Sequence, residues 1–381
     1  MRRLGTTTAS LARYKRLMSE VTHAAKPATE EHLREIAEFG PNPGGLRMLT
    51  YVPANAPPEA PLVVVLHGCT QTAGGYDVGA GWSTLADRYG FVLLLPEQSA
   101  ANNPNRCFNW FQDQDTRRDS GEAASIRAMI DTMIASHSID RAKIFVTGLS
   151  AGGAMTSAML AAYPDVFAGG AIVAGLPHGA ASDVRSAFSA MAGDFSGRGA
   201  NWPAHVTRAS GHSGPWPVVS IWHGSADATV APANAEAIVA QWRGVHGVDA
   251  QPSSTGMVDG HARRVWRDDK GREVIEAYSI AGLGHGTPLA TGNGDAQCGR
   301  AGPFLLEAGI SSSYHIAKFW GLTGNRIAAA TVPAPALTVV ETGRSEPARE
   351  GAYTAPEPRA AQPTSQIQQV IEGALRKAGL M

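Results

Sequence analysis

Short apolar runs recur along the chain between longer stretches with helical spacing. The runs lie at residues 46–52, 62–66, 91–95, 144–147, 171–174, 218–222 and 274–280. Several are apolar at every position, which predicts strands buried on both faces, as in the centre of a parallel sheet. Because strands that alternate with helices are typical of parallel sheets, the pattern predicts an α/β fold with a mostly parallel central sheet and helices on both faces.

The segments outside this alternation suggest a domain organisation. Residues 1–44 hold a weak helical pattern, and we interpret them as an N-terminal arm before one large α/β domain at 45–325. Within that domain, residues 176–217 lose the pattern and are predicted to be an irregular insert that forms a lid or substrate rim. An Ala- and Pro-rich composition predicts a linker at 329–363, and amphipathic spacing predicts a short helix at 364–381.

The charge balance excludes one class of partner. The chain has 381 residues, with 32 Lys and Arg against 33 Asp and Glu and a net charge of -1. Because nucleic-acid binding needs a surplus of cations to neutralise phosphates, we expect no nucleic-acid partner. No apolar run approaches the roughly 18 residues that cross a bilayer, so we also expect no integral membrane contact.

Cellular location is less constrained. The basic residues near the start are not followed by an apolar core and a cleavage site, which favours a cytoplasmic location, with an extracellular or periplasmic one as the alternative. Three cysteines are too few for a disulfide scaffold. Cys69 is either a buried, inert thiol or bridged to Cys107. Cα atoms within about 7 Å would permit the bridge and favour export.

A strand, a Gly-x-Ser-x-Gly motif and a helix start rich in small residues follow one another at 144–155. This order is typical of a sharp turn that exposes the serine above a sheet, where Gly148 and Gly152 omit side chains that would collide. We therefore predict Ser150 as a nucleophile, with the amide of Ala151 beside it for a developing oxyanion. A Gly/Ser turn without chemistry would not account for the flanking strand and helix.

A nucleophilic serine needs a histidine base and a carboxylate that orients it, and here the carboxylate should precede the histidine in the chain. Asp227 lies in a turn directly after the strand predicted at 218–222, and His285 lies between glycines after the last strand. We predict these residues as acid and base. The alternatives lack such a setting: Asp183, Asp194, Asp249 and Asp259 for the acid, and His246, His261 and His315 for the base.

The loop after the strand at 62–66 is the expected place for a second oxyanion donor. Gly68 permits a close backbone approach there, and we predict the amide of Cys69 as that donor. His67 is a further candidate for the base. Its place before Gly68 instead suits a residue that braces the loop by hydrogen bonding.

Four aromatic residues are candidates for an apolar slot that binds substrate: Trp110, Phe111, Trp202 and Trp216. Because aromatic residues are more often part of the core, that interpretation stays open for each of them. An acidic run lacks the spacing of an EF-hand, and no His-Glu-x-x-His motif is present. We expect a solvated loop or a capped helix start at this run, which consists of Asp113, Asp115, Asp119 and Glu122, and no metal.

Several motifs together resemble the polyhydroxybutyrate (PHB) depolymerase esterase family of α/β-hydrolases. They are His67-Gly68-Cys69, Arg106-Cys107-Phe108-Asn109-Trp110-Phe111, Gly121-Glu122 and Gly148-Leu149-Ser150-Ala151-Gly152-Gly153. The resemblance covers about residues 45–320 and implies an α/β-hydrolase catalytic domain with Ser150, Asp227 and His285 as triad. It also implies oxyanion donors at Cys69 and Ala151 and a hydrophobic crevice for short aliphatic polyester segments.

These observations predict a serine carboxylic-ester hydrolase that forms an acyl-enzyme, needs no cofactor and cleaves polyhydroxyalkanoate or its oligomers. A feruloyl or acetylxylan type of esterase, or a general short-chain carboxylesterase, is the alternative within enzymes. A non-catalytic polymer-binding protein is the alternative of another class, although such a protein typically loses at least one catalytic position. The predicted helix at 364–381 would pack on its domain, form a dimer contact or attach the protein to a polymer granule.

Overall fold

The computed structural model describes residues 32–196 and 201–324. They belong to the unit Met1–Thr331. The linker predicted at 329–363, the helix predicted at 364–381 and most of the predicted N-terminal arm lie outside the described residues.

Ten strands of the described chain form one sheet in the spatial order β1-β2-β4-β3-β5-β6-β7-β10-β9-β8. They are β1 (Arg34–Ile36), β2 (Arg47–Tyr51), β3 (Ala60–Leu66), β4 (Val92–Glu97), β5 (Ile139–Leu149), β6 (Gly169–Val173), β7 (Val218–Gly224), β8 (Ser254–Val258), β9 (His261–Arg267) and β10 (Glu273–Ile280). The strands from β4 to β10 in this order pair in parallel, and the pairing at both sides is antiparallel. The predicted mostly parallel sheet is confirmed.

Helices cover both faces of this sheet. They are α1 (Ala73–Ala80), α2 (Trp82–Tyr89), α3 (Asp113–Thr116), α4 (Gly121–Ser136), α5 (Ala151–Ala162), α6 (Val184–Met191), α7 (Trp202–Ser210), α8 (Ala233–His246) and α9 (Ser312–Phe319). One apolar core joins the sheet to α4, α5 and α8, and the other joins it to α1, α2 and α9. None of the helices in the described part is long and apolar enough to span a bilayer.

The predicted strands coincide with β2 to β7 and with β10, and the central ones are buried on both faces as expected. Strands β1, β8 and β9 were not predicted. β1 and β8 are the edge strands and β9 lies next to β8, and all three have exposed or half-exposed positions that interrupt any apolar run.

Two predicted boundaries differ from the structure. Arg34–Ile36, assigned to the arm, pairs with β2 and so belongs to the sheet. The segment 176–217, predicted to be irregular, contains α6 and α7. Both helices are short, so apolar spacing gives little signal. Their beginnings are marked instead by caps, Asp183 for α6 and Asn201 with a proline in the first turn for α7.

A second small sheet follows β10. β11 (Thr287–Leu289) pairs in parallel with β12 (Leu305–Glu307). The hydroxyls of Thr287 and Tyr76 are hydrogen-bonded at 3.2 Å, which fixes β11 to α1. Because the carboxyl ends of the parallel strands meet at one edge of the main sheet, the loops after β3, β5, β7 and β10 lie together there.

Candidate active site

Ser150 occupies the turn between β5 and α5 in a backbone conformation that side chains rarely adopt, with φ 57° and ψ −115°. A Cβ at Gly152 would lie 2.3 Å from the Leu66 carbonyl oxygen, and one at Gly148 would lie 2.5 Å from Gly152. Both positions therefore require glycine. The Ser150 amide donates to the Val173 carbonyl at 2.9 Å, which holds the turn against β6.

His285 lies between the other two residues predicted for the triad. Its Nε2 is 2.9 Å from Ser150 Oγ, and its Nδ1 is 2.7 Å from Asp227 Oδ2. Because the carboxylate only accepts, Nδ1 carries the proton and Nε2 is free to accept from the serine hydroxyl. The structure thus brings Ser150, His285 and Asp227 into one hydrogen-bonded chain.

The Asp227 carboxylate is buried and surrounded by donors. Its Oδ1 accepts from the amides of Thr229 and Val230, both at 2.9 Å. Burial alone would raise the pKa of Asp227, but hydrogen bonds from His223 and His285 hold the pKa well below its usual range. The carboxylate is therefore ionised at neutral pH and held in one orientation.

The loops that carry Asp227 and His285 are tied to each other. The Ala226 amide donates to the Leu283 carbonyl at 3.0 Å. A Cβ at Gly224 would lie 2.3 Å from that carbonyl oxygen, so this close approach requires glycine. Gly224, which no sequence motif marks, is part of the framework that sets the distance between acid and base.

The two predicted oxyanion donors lie side by side. Ala151 is the first residue of α5, where a backbone amide has no intrahelical acceptor. Cys69 follows Gly68 in the loop after β3. Cys69 and Ala151 share one small buried cluster with Cys107, and Trp110 packs against it. Both amides therefore stand beside the Ser150 turn.

A disulfide joins Cys69 to Cys107, with the Cα atoms 4.3 Å apart and a sequence separation of 38. The sequence leaves the choice between bridge and buried thiol open, and the structure has the bridge. It connects the loop that carries the Cys69 amide to the loop that carries Trp110. Cys298, a buried free thiol, lies elsewhere.

His67 braces the same loop through its imidazole. Its Nε2 accepts from the Gln98 amide at 3.1 Å, so Nδ1 carries the proton and donates to the Gly68 carbonyl at 2.8 Å. In a trans peptide the N–H and C=O bonds point in opposite directions, so a fixed Gly68 carbonyl also fixes the direction of the Cys69 N–H. His67 therefore contacts the backbone of the loop and not Ser150.

Glu122, the second residue of α4, belongs to this network. Of the two interpretations of the acidic run, a solvated loop or a capped helix start, Glu122 fits the helix start, because it lies in the first turn of α4 after Ser120, but its side chain is not solvated. It is only 1% exposed. Its carboxyl group accepts from Gln98 Nε2 and, at 2.9 Å, from the Asn109 amide. Burial raises the pKa of Glu122 to about 8. Its acidic neighbours in sequence gave no signal that this one carboxyl group faces inward.

Trp110 is the predicted aromatic residue that lies closest to the oxyanion candidates. It contacts the Cys69 cluster and also a second cluster that includes Ala154 and Trp202. Phe111 packs edge-on against Trp110 with ring centroids 5.6 Å apart. Trp202 is 9% exposed and packs against Phe195, so most of its ring is part of this second cluster.

Trp216 is not brought to the site. It precedes β7 by two residues and packs against the main core. Val218, the first residue of β7, is in register with Gly169, which pairs with Phe145. At about 3.3 Å per residue, this end of the sheet lies roughly 20 Å from Ser150. A segment just before a parallel strand lies at the edge opposite the catalytic loops, and this rule excludes Trp216 as a substrate contact.

Phe304 is a neighbour of His285 that the sequence did not reveal. The two rings meet edge-on with centroids 5.8 Å apart, and Phe304 has a φ of 61°. Gln71 links this segment to the oxyanion loop, since it accepts from the Gly68 amide at 2.9 Å and contacts the Pro303 carbonyl at 3.5 Å. The segment around Phe304 has no periodicity that could have indicated the contact.

The alternative acids and bases have other contacts. His246 bonds to the Pro217 carbonyl at 3.0 Å, and His261 bonds to the Ala308 carbonyl at 2.9 Å. His315 is paired with Asp259 at 3.0 Å. Within residues 32–196 and 201–324, no group of three or more His, Cys, Asp or Glu side chains is placed to hold a metal ion.

Comparison with known proteins finds a polyester depolymerase and several esterases among the matches. A sequence profile of the family described as Esterase PHB depolymerase matches residues 46–266. Poly(3-hydroxyalkanoate) depolymerase C of Paucimonas lemoignei is 47% identical over 294 residues, which cover 77% of this chain and 70% of the relative. Feruloyl esterase B of Talaromyces funiculosus is 31% identical over 265 residues, covering 67% and 73%. The solved acetyl xylan esterase from Aspergillus awamori superimposes with a TM-score of 0.60 at 29% identity, covering 66% of this chain and 93% of that one.

Proposed function

The chain belongs to the PHB depolymerase esterase family of α/β-hydrolases, and from this membership we propose that it hydrolyses polyhydroxyalkanoate or its oligomers with Ser150 as nucleophile. It is an ester hydrolase, as are its relatives. The observation that carries the proposal is the hydrogen-bonded chain from Ser150 through His285 to Asp227. A non-catalytic polymer-binding protein would have no need of that chain.

The reaction begins with attack of Ser150 Oγ on the ester carbonyl carbon while His285 Nε2 takes the hydroxyl proton. Asp227 holds the imidazole in the Nδ1–H tautomer and stabilises its positive charge. The tetrahedral intermediate collapses to an acyl-enzyme when His285 returns the proton to the leaving alcohol. Water then attacks the acyl carbon with the same base, which releases the acid and restores Ser150.

The amides of Cys69 and Ala151 stabilise the oxyanion of the tetrahedral intermediate in this mechanism. A donor of this kind contributes on the order of 3 kcal/mol to transition-state stabilisation. The His67 hydrogen bond and the Cys69–Cys107 bridge support it by fixing one of the two donors before substrate arrives.

Polyester is the substrate that the relatives favour. The depolymerase of Paucimonas lemoignei is 47% identical, against 31% for the feruloyl esterase. Trp110 supplies apolar surface beside the oxyanion candidates for an aliphatic segment. The feruloyl and acetylxylan type stays the second candidate, because the superimposed acetyl xylan esterase shares the fold over most of its length.

We propose that the protein works in an oxidising compartment rather than in the cytoplasm. The Cys69–Cys107 bridge supports this, because structural disulfides persist mainly outside the reducing cytosol. Attachment to polymer granules through residues 364–381 is part of the same proposal, and that segment lies outside the described residues.

Release of soluble 3-hydroxybutyrate from amorphous polymer granules tests the function, beside hydrolysis of a short p-nitrophenyl ester and of acetylated xylan. We expect wild type to degrade the granules and the short ester, and Ser150→Ala to lose on the order of 10⁶-fold in kcat on both. Cleavage of acetylated xylan without attack on granules would transfer the assignment to the cell-wall esterases. Full activity of Ser150→Ala would refute the nucleophile.

A further inference from the structure

A second histidine stands behind the Asp227 carboxylate, and the mechanism above does not use it. His223 is the sixth residue of β7, four residues before Asp227, and it is 4% exposed. Its Nε2 lies 2.8 Å from the Val230 carbonyl oxygen and 3.4 Å from Asp227 Oδ2. One imidazole nitrogen therefore faces two acceptors of the turn that follows its own strand.

The surroundings of His223 determine where its proton lies. Both atoms that face Nε2 accept hydrogen bonds only, so Nε2 carries the proton. Nδ1 is buried and has no partner among the described residues. His223 thus presents one N–H to the turn and a bare lone pair to the interior.

The His223 N–H contacts both Val230 and Asp227, which are hydrogen-bonded to each other. Val230 donates its amide to Asp227 Oδ1 and accepts at its carbonyl from His223. Oδ2 receives His285 Nδ1–H at 2.7 Å and has the His223 N–H as its second neighbour. Rotation of the carboxylate away from His285 would break contacts on both oxygens.

We propose that His223 is a positioning residue for the reaction: its Nε2–H anchors Val230 and Asp227 to β7 and thereby fixes the carboxylate oxygen that orients His285. The proposal rests on the proposed function, since it assigns His223 a role through the triad. An unpartnered buried Nδ1 is hard to explain by stability alone, because an apolar side chain would fill the same space without it.

The test compares His223→Phe, which removes the N–H, with His223→Gln, which keeps a donor near the position of Nε2. The assay is hydrolysis of a short p-nitrophenyl ester, with kcat expressed per active site from the burst of p-nitrophenol. We expect about a tenfold loss of kcat in His223→Phe with KM nearly unchanged, and recovery to within about threefold of wild type in His223→Gln.

His246→Phe is the matched control. It removes an equivalent N–H bond to a backbone carbonyl, that of Pro217, at the opposite end of β7. Even if this variant is less stable than wild type, its kcat per active site should equal that of wild type. If His246→Phe and His223→Phe lower kcat equally, the effect of His223 is general destabilisation and the proposal is refuted.

A double-mutant cycle separates action through Asp227 from any direct role. In an Asp227→Asn background, His223→Phe should lower kcat by less than about twofold, because the residue through which it acts is already changed. An undiminished tenfold loss in that background overturns the proposal. Failure of the proposed function gives a different result, since wild type would then release no 3-hydroxybutyrate from granules or, if Ser150 is not the nucleophile, show no burst with the short ester.

Discussion

At the residue scale, Glu122 is an ionisable group whose surroundings oppose its charge. Burial and the neighbouring Asp115 carboxylate raise the pKa of Glu122 to about 8, although amides of Asn109 and Gln98 partly offset this. The folded protein therefore binds a proton here at a pH at which the unfolded chain has released it. Between about pH 5 and 8 this group makes folding less favourable as pH rises.

We expect Glu122→Gln to remove that pH dependence. The free energy of unfolding of wild type minus that of the variant should fall as pH rises from about 5 to 8, by on the order of 1 to 3 kcal/mol. Urea unfolding at several pH values measures it. Glu38→Gln, at an exposed position, controls for the loss of a carboxylate. Parallel stability curves for wild type and Glu122→Gln would contradict the expectation.

The residues of the site differ in how far sequence could reveal them. Ser150 is marked by two glycines with a steric requirement, and Asp227 and His285 by their places after buried strands. Glu122 and Phe304 carry no such mark, because their contacts join segments far apart in sequence and depend on tertiary packing. The residue types in a sequence and the spacing between them indicate local geometry. They indicate contacts between distant segments only where the fold is already known.

At the scale of elements, the bridge between the β3 and β4 loops joins stability to catalysis. It joins residues with a sequence separation of 38 and fixes the loop that carries the Cys69 amide. Loss of a bridge over a segment of this size costs about 2 to 4 kcal/mol of stability. Without the bridge, the loop that carries the Cys69 amide is also no longer held in place.

We therefore expect the double variant Cys69→Ser/Cys107→Ser to lose about tenfold in kcat on a short ester, besides its lower stability. Dithiothreitol should reduce the activity of wild type and leave that of the double variant unchanged. Cys298→Ser removes the remaining, buried thiol and should keep the kcat of wild type. Unaltered kcat in the double variant, measured below its unfolding temperature, would show that the bridge serves stability alone.

Elements at the centre of the sheet were predictable, and those at its edges were not. β3 and β4 are apolar along nearly their whole length because helices cover both of their faces. β8 is the edge strand and is largely exposed, and β9 beside it is rich in arginine. The arginines of β9 form ion pairs with Glu236, Glu273 and Glu276, and these polar positions interrupt the apolar signal by which strands are recognised.

At the scale of the whole molecule, charge gives little help in reaching an uncharged polyester surface. The net charge is -1 and the isoelectric point is about 6.9, so adsorption to granules must come from apolar contact. Arg376 and Lys377 are the cations on the polar face predicted for the segment 364–381.

Co-sedimentation with polymer granules tests this. The full chain should sediment with granules to the same extent when salt is raised, because screening does not weaken apolar contact. A chain that ends at residue 363 should stay in solution and turn over the short ester as before. Equal sedimentation of the two chains would rule out the segment as the attachment site.

The disulfide beside the oxyanion site also affects when the enzyme reaches its full activity. A chain that is synthesised in a reducing compartment and exported, as we propose, carries Cys69 and Cys107 as separate thiols until it meets an oxidant. The bridge then acts as a maturation step that comes after delivery. On this proposal the producing cell holds an enzyme of low activity, and the full activity appears only after oxidation.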